Sequence, residues 1–169
     1  MSTSAETVAF LREVRLFKEI AEPELMTLSQ SLDERPLRRG QVICREGDPG
    51  EEMFVVRTGS LVISKLVTGR VEQVLARIGP GDFFGEMSLF DRSPRSATVQ
   101  ADADATLLAL DREGLRRMTE VSPKAAAAFF HALVMIFIER LRASGDLVAE
   151  VTRWGLEATG LEGDVTGSA

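Results

Sequence analysis

The chain is short of the residues that carry most enzyme chemistry, with one cysteine, Cys44, and one histidine, His131, among its 169 residues. A disulfide framework and a cysteine-rich metal site are therefore excluded, as expected of a protein from a reducing cytoplasm. No paired metal ligands and no nucleophile set beside a base stand out, so the chain is not expected to be an enzyme and no metal is expected. Cys44 falls in an apolar strand-like run and reads as core. His131 sits in an apolar helical run without a local carboxylate and reads as packing. Positive charge is also scarce: 20 Lys and Arg against 26 Asp and Glu leave a net charge of −6. That balance argues against a protein whose main partner is nucleic acid, whereas a small anion needs only one well-placed cation. Long hydrophobic runs are absent too. The most apolar stretch, 125–138, is bounded by Lys124 and Glu139 and interrupted by His131, short of the roughly 20 residues of a spanning helix. Residues 1–6 lack a basic segment followed by an apolar core, so no signal peptide is expected, and the protein reads as cytoplasmic with no membrane partner.

Hydrophobic residues make up 44% of the chain and charged ones 27%, the balance of a globular domain. The length allows one domain with a proper core plus one long appended element. Phe10, Val14 and Phe17 lie at helical spacing. A second short helix follows, opened by Pro23 and striped by Leu25, Leu28 and Leu32. From Asp33 to Asp111 the pattern changes to short Val-, Ile-, Leu-, Thr- and Phe-rich runs punctuated by glycine. Strands are predicted over 41–44, 53–58, 60–66, 71–78, 97–101 and 105–110, with a tight hairpin at Gly59. Such spacing reads as an antiparallel sandwich or barrel. Asp111 can cap a helix running to about Val121, and Ser122-Pro123 starts a longer one reaching about Trp154. The expected organisation is one domain over 1–154, with helices at 4–32, a β portion at 33–111 and helices at 112–154, and a flexible tail at 155–169.

The stretch densest in chemistry is Gly81-Asp82-Phe83-Phe84-Gly85-Glu86-Met87-Ser88-Leu89-Phe90, followed after a polar loop by Pro94-Arg95-Ser96-Ala97-Thr98-Val99. Gly85 lets backbone approach a ligand closely, and Met87 to Leu89 can begin a short helix whose free amides favour an anion. Arg95 offers a permanently charged fork to two phosphate oxygens, with the Ser96 hydroxyl beside it. Glu86 would repel a phosphate, so its fitting role is to accept hydrogen bonds from sugar hydroxyls or to pair with the nearby cation. A structural Glu86–Arg95 pair in a sandwich without a ligand is the competing reading.

These two blocks resemble the phosphate-binding cassette, here 81–99, of the cyclic-nucleotide-binding domain. The family includes the catabolite activator protein, protein kinase A regulatory subunits and cyclic-nucleotide-gated channels. The likeness takes in the glycine-marked strands and flanking helices from about Phe10 to Val151. It implies a mainly β fold, an antiparallel β-sandwich or jelly roll with short N-terminal helices and a long C-terminal helix. It also implies a cyclic mononucleotide ligand, cAMP first and cGMP as the alternative. Carried over by position, Glu86 and Gly85 meet the ribose, with Glu86 accepting the 2′-hydroxyl. Arg95 and Ser96 meet the phosphate, joined by backbone amides around Gly85, Met87, Ser88 and Ala97.

In the family the helix after the β domain covers the base and pairs two subunits. Phe130, Val134, Phe137, Leu141, Ser144, Val148 and Val151 step alternately by 4 and 3, which is heptad spacing. Phe129, Leu133, Ile136, Ala143, Leu147 and Trp154 form a second stripe beside it. Two stripes predict burial from two sides, hence a homodimer through 123–154, a monomer with the helix folded on its own core being the alternative. Ser144 aligns with the family position whose hydroxyl meets adenine, so Ser144 and Ser96 are the candidate base contacts; a polar residue that sets register is the other reading of Ser144. Gly145 weakens the helix by about 1 kcal/mol relative to alanine, a place for it to bend on switching. The expected function is a stand-alone cyclic-nucleotide sensor acting through this helix on an unidentified downstream protein, without direct DNA binding. The alternative is a structural or interaction protein whose pocket is empty or repurposed.

Overall fold

A computed structural model of the chain describes residues 3–68 and 71–159. These divide into two compact units, one ending at Phe130 and the other beginning at His131. Residues 69–70, and the part of the tail expected from sequence that runs from Gly160 onward, lie outside the described residues.

The first unit opens with helix α1 (Ser4–Glu13), which begins in a capping box: Thr3 Oγ1 accepts from the Glu6 amide and Glu6 accepts from the Thr3 amide. This reciprocal pairing satisfies two donors that a helix start otherwise leaves orphaned. The helix ends at Val14, earlier than the Phe10–Val14–Phe17 spacing predicts. Val14, Leu16, Phe17 and Ile20 continue in turns and bends and are all buried, so the helical spacing of Val14 and Phe17 does not correspond to a helix. Helix α2 (Glu22–Ser29) carries Pro23 in its first turn, where a missing N–H costs nothing. It buries Leu25 and Leu28, while Leu32 lies beyond its end.

Eight strands follow: β1 (Asp33–Leu37), β2 (Val42–Cys44), β3 (Glu52–Thr58), β4 (Leu61–Thr68), β5 (Val71–Ile78), β6 (Phe83–Phe84), β7 (Thr98–Ala101) and β8 (Ala105–Asp111). They form two four-stranded sheets, ordered β1-β8-β3-β6 and β2-β7-β4-β5, with every pairing antiparallel. This is the mainly β sandwich with flanking helices expected from sequence. Leu37, Phe54, Val56, Phe84, Leu107 and Ala109 from one sheet meet Cys44, Leu61, Val99 and Ala101 from the other in a single buried cluster. Met53, Val55, Leu108 and Leu110, on the opposite face of the first sheet, are buried as well. A sheet buried on both faces explains why β3 and β8 read as continuous apolar runs without alternation.

Two strands escaped the sequence. β1, Asp-Glu-Arg-Pro-Leu, is charged and contains proline, yet it pairs in full register with β8. It is an edge strand, where Pro36 forfeits no ladder bond that a neighbour needs. β6 is only two residues long, too short to stand out within the stretch 81–90. Gly59 also needs correcting: β3 and β4 belong to different sheets, so no hairpin joins them. Gly59 instead makes a corner between sheets at φ +82°, its Cα so close to the backbone of Asp104 and Ala105 that an added Cβ would lie 2.6 Å from Ala105 Cα.

Helix α3 (Arg112–Val121) is capped by Asp111, whose Oδ1 accepts from the Gly114 amide at 2.7 Å. Helix α4 (Pro123–Thr159) is preceded by Ser122, whose Oγ accepts from the Ala125 amide at 3.3 Å. Both caps match the sequence reading. Within the first unit α4 buries Ala125, Ala126 and Phe129, the last ring 5.8 Å from that of Phe17. The second unit continues α4 to Thr159, five residues beyond Trp154, where the sequence reading had started a flexible tail. His131 is exposed, against the expectation of packing, because it falls outside the buried stripe of Phe129, Leu133 and Ile136. Among the described residues, no helix is long and apolar enough to cross a membrane.

Candidate functional site: a buried guanidinium in a glycine cradle

β6 delivers the cassette. It pairs with β3 through Phe54 opposite Phe84, and the two rings stack at 5.1 Å. Gly85 follows at φ +77°, a left-handed conformation that glycine adopts without the Cβ penalty, and it turns the chain into a short 3-10 helix, Glu86–Leu89. The chain returns through a polar loop in which Asp91 accepts from both the amide and the hydroxyl of Ser93. Arg95 is then clamped by its backbone: its amide donates to the Asp48 carbonyl at 2.8 Å, and its carbonyl accepts from the Gly47 amide at 2.9 Å. The β2–β3 loop thus holds the cassette from the other side.

Arg95 is only 8% exposed. Its Nη1 donates to Ser88 Oγ at 3.1 Å and, more weakly, to the Gly85 carbonyl at 3.4 Å, and its Cζ lies 5.7 Å from the centroid of the Phe54 ring. Its Nε is out of solvent and has no hydrogen-bond partner. Two glycines make room for the guanidinium. A Cβ on Gly50 would lie 2.6 Å from Arg95 Cζ and 2.8 Å from Ser88 Oγ, and one on Gly85 would collide with Arg95 Nη1. A buried cation with an unused donor is costly unless an acceptor joins it, so the arrangement suits an anion.

Arg95 lines a cavity of about 430 Å³ together with Ile43, Cys44, Gly50 and Phe54, a size within the roughly 300–1,000 Å³ of small-ligand sites. Four carboxylates also line it: Asp48, Glu51, Glu52 and Asp111. Three already accept hydrogen bonds within the protein: Asp48 from the Arg45 amide, Glu52 from Arg35, and Asp111 from the Gly114 amide. Burial pushes the Cys44 thiol above its ordinary pKa of 9.0, with Arg95 only partly offsetting the effect. A neutral thiol in this wall fits the reading of Cys44 as core, and it belongs to the cluster between the sheets.

Of the residues chosen from sequence, Gly85 and Ser88 meet Arg95, and Glu86 is buried on the same 3-10 turn as the buried Ser88. Met87 is on the same turn and its side chain is exposed. Ser96 is exposed next to Arg95, and Ala97 is half-buried, its carbonyl 3.9 Å from Cys44 Sγ. Ser144 lies in the second unit, exposed, with its hydroxyl donating to the Arg140 carbonyl at 2.9 Å. Gly50, Phe54 and the Asp48 carbonyl went unnoticed. Gly47-Asp48-Pro49-Gly50 reads locally as turn punctuation, and nothing in the sequence ties it to a residue 45 positions on. Arg112 was also missed; both Nε and Nη2 donate to the Ser88 carbonyl, at 2.9 and 2.7 Å.

The β-sandwich thus buries Arg95 against a glycine-lined turn beside a cavity. The family model described as "Cyclic nucleotide-binding domain" matches residues 34–122, and the chain belongs to that family. It is 39% identical over 116 residues to a cyclic nucleotide-gated potassium channel of Mesorhizobium japonicum, covering 69% of this chain and 31% of the channel. Among solved structures, the N-terminal domain of a transcriptional regulator from Streptomyces coelicolor A3(2) superposes with a TM-score of 0.71 at 34% identity. That match covers 82% of this chain and 94% of the other. The regulatory domain of Toxoplasma gondii PKA, solved with cAMP, gives a TM-score of 0.62 at 34% identity, covering 68% of this chain and 44% of that one. The chain spans 31% and 61% of the first two curated relatives it matches, the second being a cAMP-activated transcriptional regulator of Mycobacterium tuberculosis.

Proposed function

We propose that this protein is a cyclic-nucleotide sensor, with cAMP as its first ligand and cGMP as the alternative, and that it binds without catalysis. The observation that carries the reading is Arg95: buried, cradled by Gly50 and Gly85, and holding an unpartnered Nε beside a cavity. In this reading Arg95 takes the cyclic phosphate, with Ser88 and the amides of Gly85, Met87 and Ala97 around it. Ser96 adds a hydroxyl at the rim. Glu86 accepts the ribose 2′-hydroxyl, and Ser144 or Ser96 meets the base. Support comes from family membership and from the cAMP-bound relative.

Signal output is assigned to α4. Val134, Leu141, Val148 and Val151 of the heptad stripe are exposed in the single chain, as are Leu147 and Trp154 of the second stripe. Six large apolar side chains on one helix are poorly placed in water, and a parallel pairing of two copies along the stripe would cover them. The dimer would pass its geometry to a downstream protein in the cytoplasm.

Calorimetric titration with cAMP, cGMP and 5′-AMP tests the ligand. Binding of a cyclic nucleotide with rejection of 5′-AMP is expected. Heat from none of the three, with folded protein, would overturn the proposal and favour an interaction module built on the same fold.

A further inference from the structure

We propose that Arg112 is a positioning residue for the cassette, holding the Ser88 carbonyl so that the Ser88 hydroxyl faces Arg95 and tying the phosphate-binding turn to the start of α3. The inference rests on the nucleotide-sensor reading above and assigns that site its mechanical link to the helices.

Arg112 is the first residue of α3, at the positive end of the helix dipole, where a cation is unfavourable unless it is used elsewhere. Its guanidinium leaves the helix and reaches back across the chain to residue 88. Nε and Nη2 converge on the Ser88 carbonyl at 2.9 and 2.7 Å, and Nη2 also donates to the Asp91 carbonyl. The Ser88 carbonyl lies in the last turn of the 3-10 helix and the Asp91 carbonyl just past its Phe90 cap, so the cation completes a helix end whose carbonyls have no onward helical donor. Ser88 is therefore gripped twice. Arg95 holds its hydroxyl from the cavity side and Arg112 its carbonyl from the α3 side, with the residue itself buried. Any shift of Ser88 that accompanies a change in the Arg95 contacts is delivered to Arg112 through one peptide unit.

The α3 end of the link is also fixed. The Asp111 cap holds the Gly114 amide, and Gly114 packs so closely that an added Cβ would lie 2.7 Å from Leu110 Cδ1 and 3.5 Å from the Ser31 carbonyl just after α2. A displacement of the first turn of α3 is thus felt by the α2 end, while a flexible side chain in place of Arg112 would leave the cassette free to move alone.

The test uses the full chain with Arg112→Ala, Arg112→Gln and Arg112→Lys, read by calorimetry with cAMP and by hydrogen exchange with and without cAMP. Arg112→Ala is expected to weaken cAMP by about tenfold, the scale of losing charge-assisted positioning bonds. Ligand-induced protection of α3 should vanish in this variant while protection of residues 85–91 persists. Arg112→Lys, which keeps charge but not the fork, should recover part of both signals, and Arg112→Gln less. Wild-type affinity together with undiminished α3 protection in Arg112→Ala would overturn the proposal. A ligand-free arm separates its failure from that of the sensor reading. The amides of Phe90 and Asp91, both bonded to the Met87 carbonyl, should exchange faster in Arg112→Ala whether or not any nucleotide binds. Unchanged exchange there overturns the positioning role, whereas absence of cyclic-nucleotide binding by the wild type overturns the sensor reading alone.

Discussion

At the scale of single residues the site depends on how one guanidinium is seated. Removing it by Arg95→Ala should weaken cAMP by about ten- to a hundredfold, the loss of a charged hydrogen-bonding group. Gly50→Ala should mimic much of that loss with little effect on the thermal midpoint. Gly50 has ordinary backbone angles, and the new Cβ meets the flexible end of Arg95 rather than the main chain. Comparing the two variants by calorimetry and thermal melts separates displacement of the guanidinium from general destabilisation. Glu86→Ala should cost more against cAMP than against 2′-deoxy-cAMP; an equal loss would remove the 2′-hydroxyl from its role. Cys44 makes a pH prediction. Its folded-state pKa is raised by burial above the ordinary 9.0, so the folded chain holds the proton more tightly than the unfolded one. That contribution is complete below 9.0 and is lost as pH rises through the higher folded value. The urea midpoint should therefore fall more steeply above pH 9 for wild type than for Cys44→Ala, each referred to its own value at pH 7.

At the scale of elements, the caps and the sheet edges decide how much local sequence can say. The Asp111 cap serves β8 and α3 at once, since its residue ends the strand and accepts from the Gly114 amide. Asp111→Ala should lower stability by about 1 kcal/mol, the usual cost of losing an N-cap, and chemical denaturation would measure it. α3 and α4 were legible because caps are local signals, four residues or fewer in reach. Gly59 and β1 were not. A glycine between two apolar runs has the same local pattern in a hairpin as in a corner, and only pairing with β8 tells them apart. A charged, proline-bearing segment such as β1 becomes a strand because an edge place beside β8 is open to it.

For the whole molecule, the exposed heptad stripe of α4 predicts self-association. Sedimentation should give twice the 18.5 kDa chain mass, and Leu141→Glu with Val148→Glu should return the monomer by placing charge in the seam. A monomeric wild type at micromolar concentration would remove the dimer from the proposed mechanism.

The sequence by itself determined an antiparallel sandwich or barrel and the order of its helices, because these rest on short-range signals of period, capping and turn glycine, while Gly85, Glu86, Ser88 and Arg95 were singled out by the likeness of their segment to a family motif. What only the tertiary structure decided lies between segments. Asp48 holds the Arg95 backbone, Gly50 and Phe54 flank its side chain, and Arg112 grips the turn from a helix 24 residues further on. These contacts join residues whose separation along the chain carries no pattern of its own. Strand pairing across two sheets is what brings them within a hydrogen bond of one another.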